Sequence, residues 1–265
     1  MKIVCLKGGL GNQMFEYCRF RDLMDSGNGK VYLFYDRRRL KQHDGLRLSD
    51  CFELELPSCP WGIRLVVWGL KVCRAVGVLK RLYDDEKPDA VLIDDYSQHR
   101  RFIPNARRYF SFRQFLAELQ SGFVQMIRAV DYPVSVHVRR GDYLHPSNSS
   151  FGLCGVDYFR QAIAYVRKKR PDARFFFFSD DMEWVRENLW MEDAVYVEHT
   201  ELMPDYVDLY LMTLCRGHII SNSTFSFWGA YLAVDGNGMK IYPRRWFRDP
   251  TWSSPPIFSE EWVGL

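Results

Sequence analysis

The chain has no Asp-x-Asp anywhere in its 265 residues. That spacing of carboxylates is a common way to hold a divalent cation, so a cation-held ligand is not indicated. The seven cysteines are odd in number and include no short-spaced pair. They predict neither a disulfide framework nor a zinc site, but buried free thiols in a reducing, cytoplasmic setting. Long apolar runs are missing too. None approaches the ~20 residues needed to cross a bilayer. The apolar start, Met1 to Leu6, meets Lys7-Gly8-Gly9 too soon to read as a secretory leader. Repeats and low-complexity tracts are absent. The net charge of +3 is too small to argue for a nucleic-acid partner.

What is present is a large apolar fraction, 47%, sufficient for an extensive core. Charge is unevenly spread. Residues 1–130 hold 22 basic and 15 acidic side chains, residues 131–265 the remaining 14 and 18. The first half therefore favours an anionic partner or surface.

Short apolar stretches alternate with helical patterns. Strands are expected at 3–6, 31–35, 90–93, 134–138, 174–178, 194–197, 219–220 and 240–242. Helices are expected at 14–23, 61–82, 112–129, 157–169, 182–189, 207–215 and 225–233, with an irregular polar stretch at 36–60. This alternation predicts parallel sheets covered on both faces, in two α/β domains, 1–130 and 131–265, with a ligand cleft between them. The 61–82 stretch is unusual: two tryptophans and five Lys or Arg interrupt an apolar body that contains no acid. It reads either as a core helix with snorkelling cations or as a peripheral contact with the cytoplasmic face of a membrane.

Four polar motifs fall just after strands. Gly8-Gly9-Leu10-Gly11-Asn12-Gln13 opens a helix. Its glycines allow close backbone approach to a ligand, and its amides suit hydroxyls or phosphate, although a plain tight turn explains it equally. His137-Val138-Arg139-Arg140-Gly141-Asp142-Tyr143 ends a strand. One arginine can present its planar fork to phosphate while the other pairs with Asp142, or both can be structural. Ser179-Asp180-Asp181 offers carboxylates for a nucleoside or simply a helix cap. Ser221 to Ala230 places Ser223, Thr224 and Ser226 at a helix start, as cap, phosphate cradle or both.

Together, Gly8 to Phe15, His137 to Tyr143, Phe177 to Asp181 and Ser221 to Ala230 resemble the bacterial α-1,2-fucosyltransferases of glycosyltransferase family eleven, over nearly the whole chain. The resemblance departs at Glu16-Tyr17-Cys18, where the family has Gln-Tyr-Ala, at Gly217-His218, where it has His-Asn, and at Phe227, where it has Trp, and residues 36–90 match poorly. It implies a GT-B architecture of two Rossmann-like domains, a GDP-β-L-fucose donor, a β-galactoside acceptor, inversion at the anomeric carbon and no metal. It implies Arg139 on the β-phosphate, Arg140 with Asp142 organising the loop, and His137 with Asp180 or Asp181 on the guanosine. Ser223, Thr224 and Ser226 would line the diphosphate. Asn12 and Gln13 would face the donor sugar and acceptor, with Gly9 and Gly11 binding the donor. Asp142 and Glu16 are the candidate general bases, with a weak base or none as the alternative. The rivals are an α-1,6- or protein O-fucosyltransferase, and a non-catalytic GDP-sugar or glycan-binding protein.

Overall fold

The computed structural model describes residues 1–27, 29–41, 45–83, 87, 89–119, 121–148, 150–198 and 203–265. The chain divides into two compact units, Met1–Arg113 and Gln114–Leu265. The division thus falls earlier than the break read near residue 130.

In the first unit, β1 (Lys2–Leu6) lies between β2 (Val31–Tyr35) and β3 (Leu92–Ile93), all parallel. Successive strand residues face opposite sides. Ile3 and Cys5 pack on Ile63, Val67 and Leu70 of helix α2 (Trp61–Ala75), beside Leu92. Val4 and Leu6 point to the other face. Helix α1 (Leu10–Asp25) starts four residues before Met14 and ends two after Leu23, where the sequence pattern placed its ends. The expected helix at 61–82 ends at Ala75. Gly77 at φ +75° supplies the left-handed turn after its last residues, and a 3-10 turn, Lys80–Leu82, follows. Within the stretch expected to be irregular, short helices form at Arg37–Leu40 and Leu48–Cys51, while residues 42–44 lie outside the described set.

In the second unit the strands are β4 (Tyr132–Val138), β5 (Ala173–Ser179), β6 (Val195–Tyr196), β7 (Gly217–Ile219), β8 (Lys240–Tyr242) and β9 (Val263–Gly264). They form one parallel sheet in the order β6-β5-β4-β7-β8-β9. The chain winds outward from β4 in one direction, then returns to β4's other side and winds outward again. The reversal lies between β4 and β7, which is where open α/β sheets bind ligands, at the carboxyl ends of the strands. The helices are α3 (Val156–Lys169), α4 (Met182–Asn188), α5 (Tyr206–Thr213) and α6 (Thr224–Tyr231). One face of the sheet is apolar: Val134, Val136, Val138, Phe175, Phe177, Ile219 and Ile241 pack on Phe159, Ala162 and Val166 of α3. The opposite face carries a buried polar seam, described below.

The expected helix at 112–129 is two short ones, Gln114–Ala117 and Gly122–Arg128. Ser121 stops a continuous helix because its hydroxyl accepts from the Val124 N–H at 3.2 Å, so it caps a new one. All seven cysteines are free thiols. No helix among the described residues is long and apolar enough to cross a membrane.

Candidate active site

The seam begins with cross-strand pairing. Ser135 on β4 sits opposite His218 on β7, and its hydroxyl lies 2.8 Å from His218 Nδ1. Two residues on, His137 Nδ1 lies 3.1 Å from the Ser221 hydroxyl. Burial, and then the nearby Arg139 charge, lowers the His137 pKa to about 3; burial, and then Lys240, does the same to His218. Both imidazoles are therefore neutral at physiological pH. His137 is a positioning group that ties β4 to the Ser221–Asn222 turn, and its ring packs 5.6 Å from that of Phe225.

Arg139 follows at the end of β4. Its Nε and one terminal nitrogen donate to Asp142 Oδ1 at 3.0 and 2.8 Å, and the other terminal nitrogen meets Asp180 Oδ2 at 3.1 Å. Burial alone would depress its pKa, but the Asp180 and Asp142 carboxylates outweigh it and the net shift is upward. A guanidinium has five N–H donors. Two carboxylates take three, which leaves two on a half-buried, rigidly aimed fork.

Arg140 does something else. It does not pair with Asp142, as the sequence suggested. Its Nε donates to Asp181 Oδ2 at 2.9 Å and its guanidinium stacks 4.0 Å above Trp184. Asp181 also caps α4 by accepting from the Trp184 N–H at 3.2 Å, and the hydrogen bond from Arg140 lowers its pKa. Arg140 and Asp181 thus join the β4 and β5 loops, with one hydrogen bond accepted at each Asp181 oxygen. Asp180 bridges the two arginines, since its Oδ1 accepts the Arg140 backbone N–H at 2.8 Å. Gly141 leaves room for this crossing: a Cβ there would lie 2.6 Å from Asp180 Oδ2, so the carboxylate would have to shift.

The third strand end is the start of α6. Ser223 is its N-cap, yet its side chain makes no capping hydrogen bond. The first-turn N–H groups of a helix point outward and attract anions. Thr224 is half-buried and opens that turn. Ser226 is misplaced in the expected cradle: it is fully buried and donates to the Ser223 and Ser221 carbonyls at 3.0 and 3.4 Å. Tyr143 and Asn222, which the motifs contain without a role, hold this region. The Tyr143 hydroxyl donates to the Asn222 carbonyl at 3.1 Å, and the Asn222 amide donates to the carbonyls of Phe151 and Trp246 at 2.9 and 2.8 Å. Trp184 gave no sequence signal, because only the fold brings it beneath Arg140.

In the first unit, Gly8 adopts φ +68° and turns the chain into α1, with Gly9 as N-cap and Gly11 buried in the first turn. Asn12 is half-buried and accepts from Gln98 Nε2 at 3.0 Å. Gln13 is fully buried. Its amide donates to Gly8 and Gly45 carbonyls, each at 2.9 Å, and its oxygen accepts the Arg47 N–H at 3.2 Å. It fastens a loop and does not reach a sugar. Glu16 is also fully buried: one oxygen accepts the Lys7 N–H at 2.8 Å, the other has no partner, and burial raises its pKa well above the carboxylate range. Fully enclosed, this carboxyl offers no surface to an acceptor hydroxyl. Among the described residues no group of three or more His, Cys, Asp or Glu side chains is placed to hold a metal ion.

The chain resembles known proteins along its whole length. It is 29% identical over 284 residues to an α-1,2-colitosyltransferase of Escherichia coli, covering 98% of this chain and 97% of that protein. It is 27% identical over 286 residues to the galactoside 2-α-L-fucosyltransferase SEC1 of Bos taurus, covering 98% and 72%. The fold is that of the fucosyltransferase NodZ from Bradyrhizobium, with a TM-score of 0.53, 16% identity and coverage of 87% and 92%, so the GT-B-like class holds. Residues 100–265 match the family model for glycosyl transferase family 11. That match takes in every strand of the second sheet and each strand-end motif built on it, so the chain belongs to glycosyl transferase family 11.

Proposed function

We propose that this glycosyltransferase moves L-fucose from GDP-β-L-fucose to the 2-hydroxyl of a β-galactoside, with inversion and without a metal ion. The observation that carries the reading is Arg139. A guanidinium stands at the switch point of the sheet, oriented by two carboxylates and with two N–H donors to spare. It lies on the strand next to the one that leads into the α6 N-terminus.

In the proposed step, the acceptor oxygen bonds to the anomeric carbon as the bond from that carbon to the diphosphate oxygen breaks, and the acceptor's hydroxyl proton leaves to solvent. Charge builds on the departing GDP, and the barrier falls with whatever stabilises it. Arg139 supplies fixed positive charge, and the α6 N–H groups with Ser223 and Thr224 supply hydrogen-bond donors. Asp180 and Asp142 act by aiming Arg139, and His137 by holding the Ser221 turn. NodZ, an α-1,6-fucosyltransferase of the same fold, was crystallised with GDP, which supports a GDP-linked donor here. The full-length relative that transfers colitose supports the α-1,2 linkage and makes colitose the second donor to consider.

The test is product analysis. The protein is incubated with GDP-fucose, or with a colitose donor, and a panel of β-galactosides, and the product linkage is solved by NMR. An α-1,2-fucosylated galactoside is expected. An α-1,6 product, transfer of colitose alone, or GDP binding without turnover would replace this reading.

A further inference from the structure

Helix α2 has two apolar faces. At about 100° per residue, Ile63, Val67 and Leu70 fall on one side, where they are buried against the first sheet. Trp61, Leu65, Trp68 and Val72 fall on the opposite side, spaced four, three and four residues apart, and all are exposed. Trp61 is 76% and Trp68 69% exposed. Val76 and Leu79 continue the exposed apolar surface past the end of the helix. A contiguous exposed stripe with two tryptophans marks an interaction surface, because a soluble helix normally turns only one apolar face inward and a polar one outward.

Charge identifies the partner. No acid occurs from Leu56 to Tyr83, whereas Arg64, Lys71, Arg74, Lys80 and Arg81 do. Lys71 and Arg74 lie 3.4 and 3.5 Å from Asp94, which pins the helix to the end of β3. Their side chains remain partly exposed, and Arg64 makes no ion pair with any described residue. We propose that the exposed face of α2 seats on an anionic lipid bilayer, with Trp61 and Trp68 in the headgroup boundary and the flanking cations on the lipid phosphates. A second copy fits less well. A two-fold pairing through this face would bring two acid-free, basic segments together.

Vesicle co-sedimentation tests this with the whole protein, using phosphatidylcholine alone and phosphatidylcholine with phosphatidylglycerol, at low and high salt. Binding to the anionic vesicles is expected, at least about tenfold above that to neutral ones and weakened by salt. The double variant Trp61→Ala, Trp68→Ala should lose that binding while its circular dichroism and melting temperature stay unchanged, because neither indole is buried. Arg64→Glu should weaken binding without touching the apolar stripe. Negligible or equal binding to both vesicle types overturns the proposal. So does a concentration-dependent dimer that the same double variant disperses.

Discussion

Arg139 is held so tightly that substitution should separate charge from geometry. An ammonium at its place keeps the charge but cannot meet Asp142, Asp180 and a diphosphate together. Arg139→Lys should therefore lower kcat/KM by about a hundredfold or more. A kcat/KM within a factor of a few of the unaltered protein would mean that Arg139 is a structural cation. His137 makes its own prediction. Its folded pKa, about 3, lies below the unfolded value of about 6.5. Between these values the unfolded chain binds a proton that the folded chain refuses, so stability falls as the pH drops from 6.5 toward 3. The slope is up to about 1.4 kcal/mol per pH unit for each such imidazole. Urea unfolding of His137→Asn should show a slope shallower by that amount, and an unchanged slope would place a charged imidazole in the fold. Glu16 works in the opposite sense. Burial raises its folded pKa above that of the unfolded chain, so it costs stability as pH rises. Glu16→Gln should remove this dependence, so its stability relative to the unaltered protein should be greater at pH 8 than at pH 5. Equal differences at both pH values would argue against a raised carboxyl pKa. Residue type alone misled at Gln13 and Glu16. Both can bind a sugar or take a proton, and it is their position on the inner face of α1, set by tertiary packing, that denies them access.

The β4–Gly141–α4 junction is the element on which Arg139's aim depends. Adding a methyl group at Gly141 must push Asp180 aside, since only 2.6 Å separates them. Gly141→Ala should weaken GDP binding about tenfold or more while the melting temperature moves only a few degrees. Intact binding would show that Asp180 does not position Arg139. Elements were legible where the local pattern was strong. β2 and β8 fall where alternation and apolar runs place them, and Lys168-Lys169 followed by Arg170-Pro171 ends α3 as the helix dipole and proline demand. β9 was invisible because its two residues, Val263-Gly264, become a strand only by pairing with β8. The break at Ser121 was legible in principle, as a Ser-Gly start inside an otherwise helical pattern. The strand-end motifs were recognisable by their types. Which arginine pairs with which carboxylate was not, because Asp180 and Asp181 reach the arginines only through the β4–β5 register.

At the scale of the molecule, the second sheet's order places Arg139 and the α6 N-terminus on adjacent strands at the reversal point, though they are far apart in sequence. The central claim is that this pair neutralises a nucleoside diphosphate without a metal ion. Calorimetric titration of GDP into the whole protein, in excess EDTA, tests it most directly. The account predicts that GDP binds equally well with EDTA and with Mn²⁺, and that Arg139→Ala weakens binding at least about tenfold, or about 1.4 kcal/mol. GDP binding that appears only with Mn²⁺, or that is indifferent to Arg139→Ala, would contradict it.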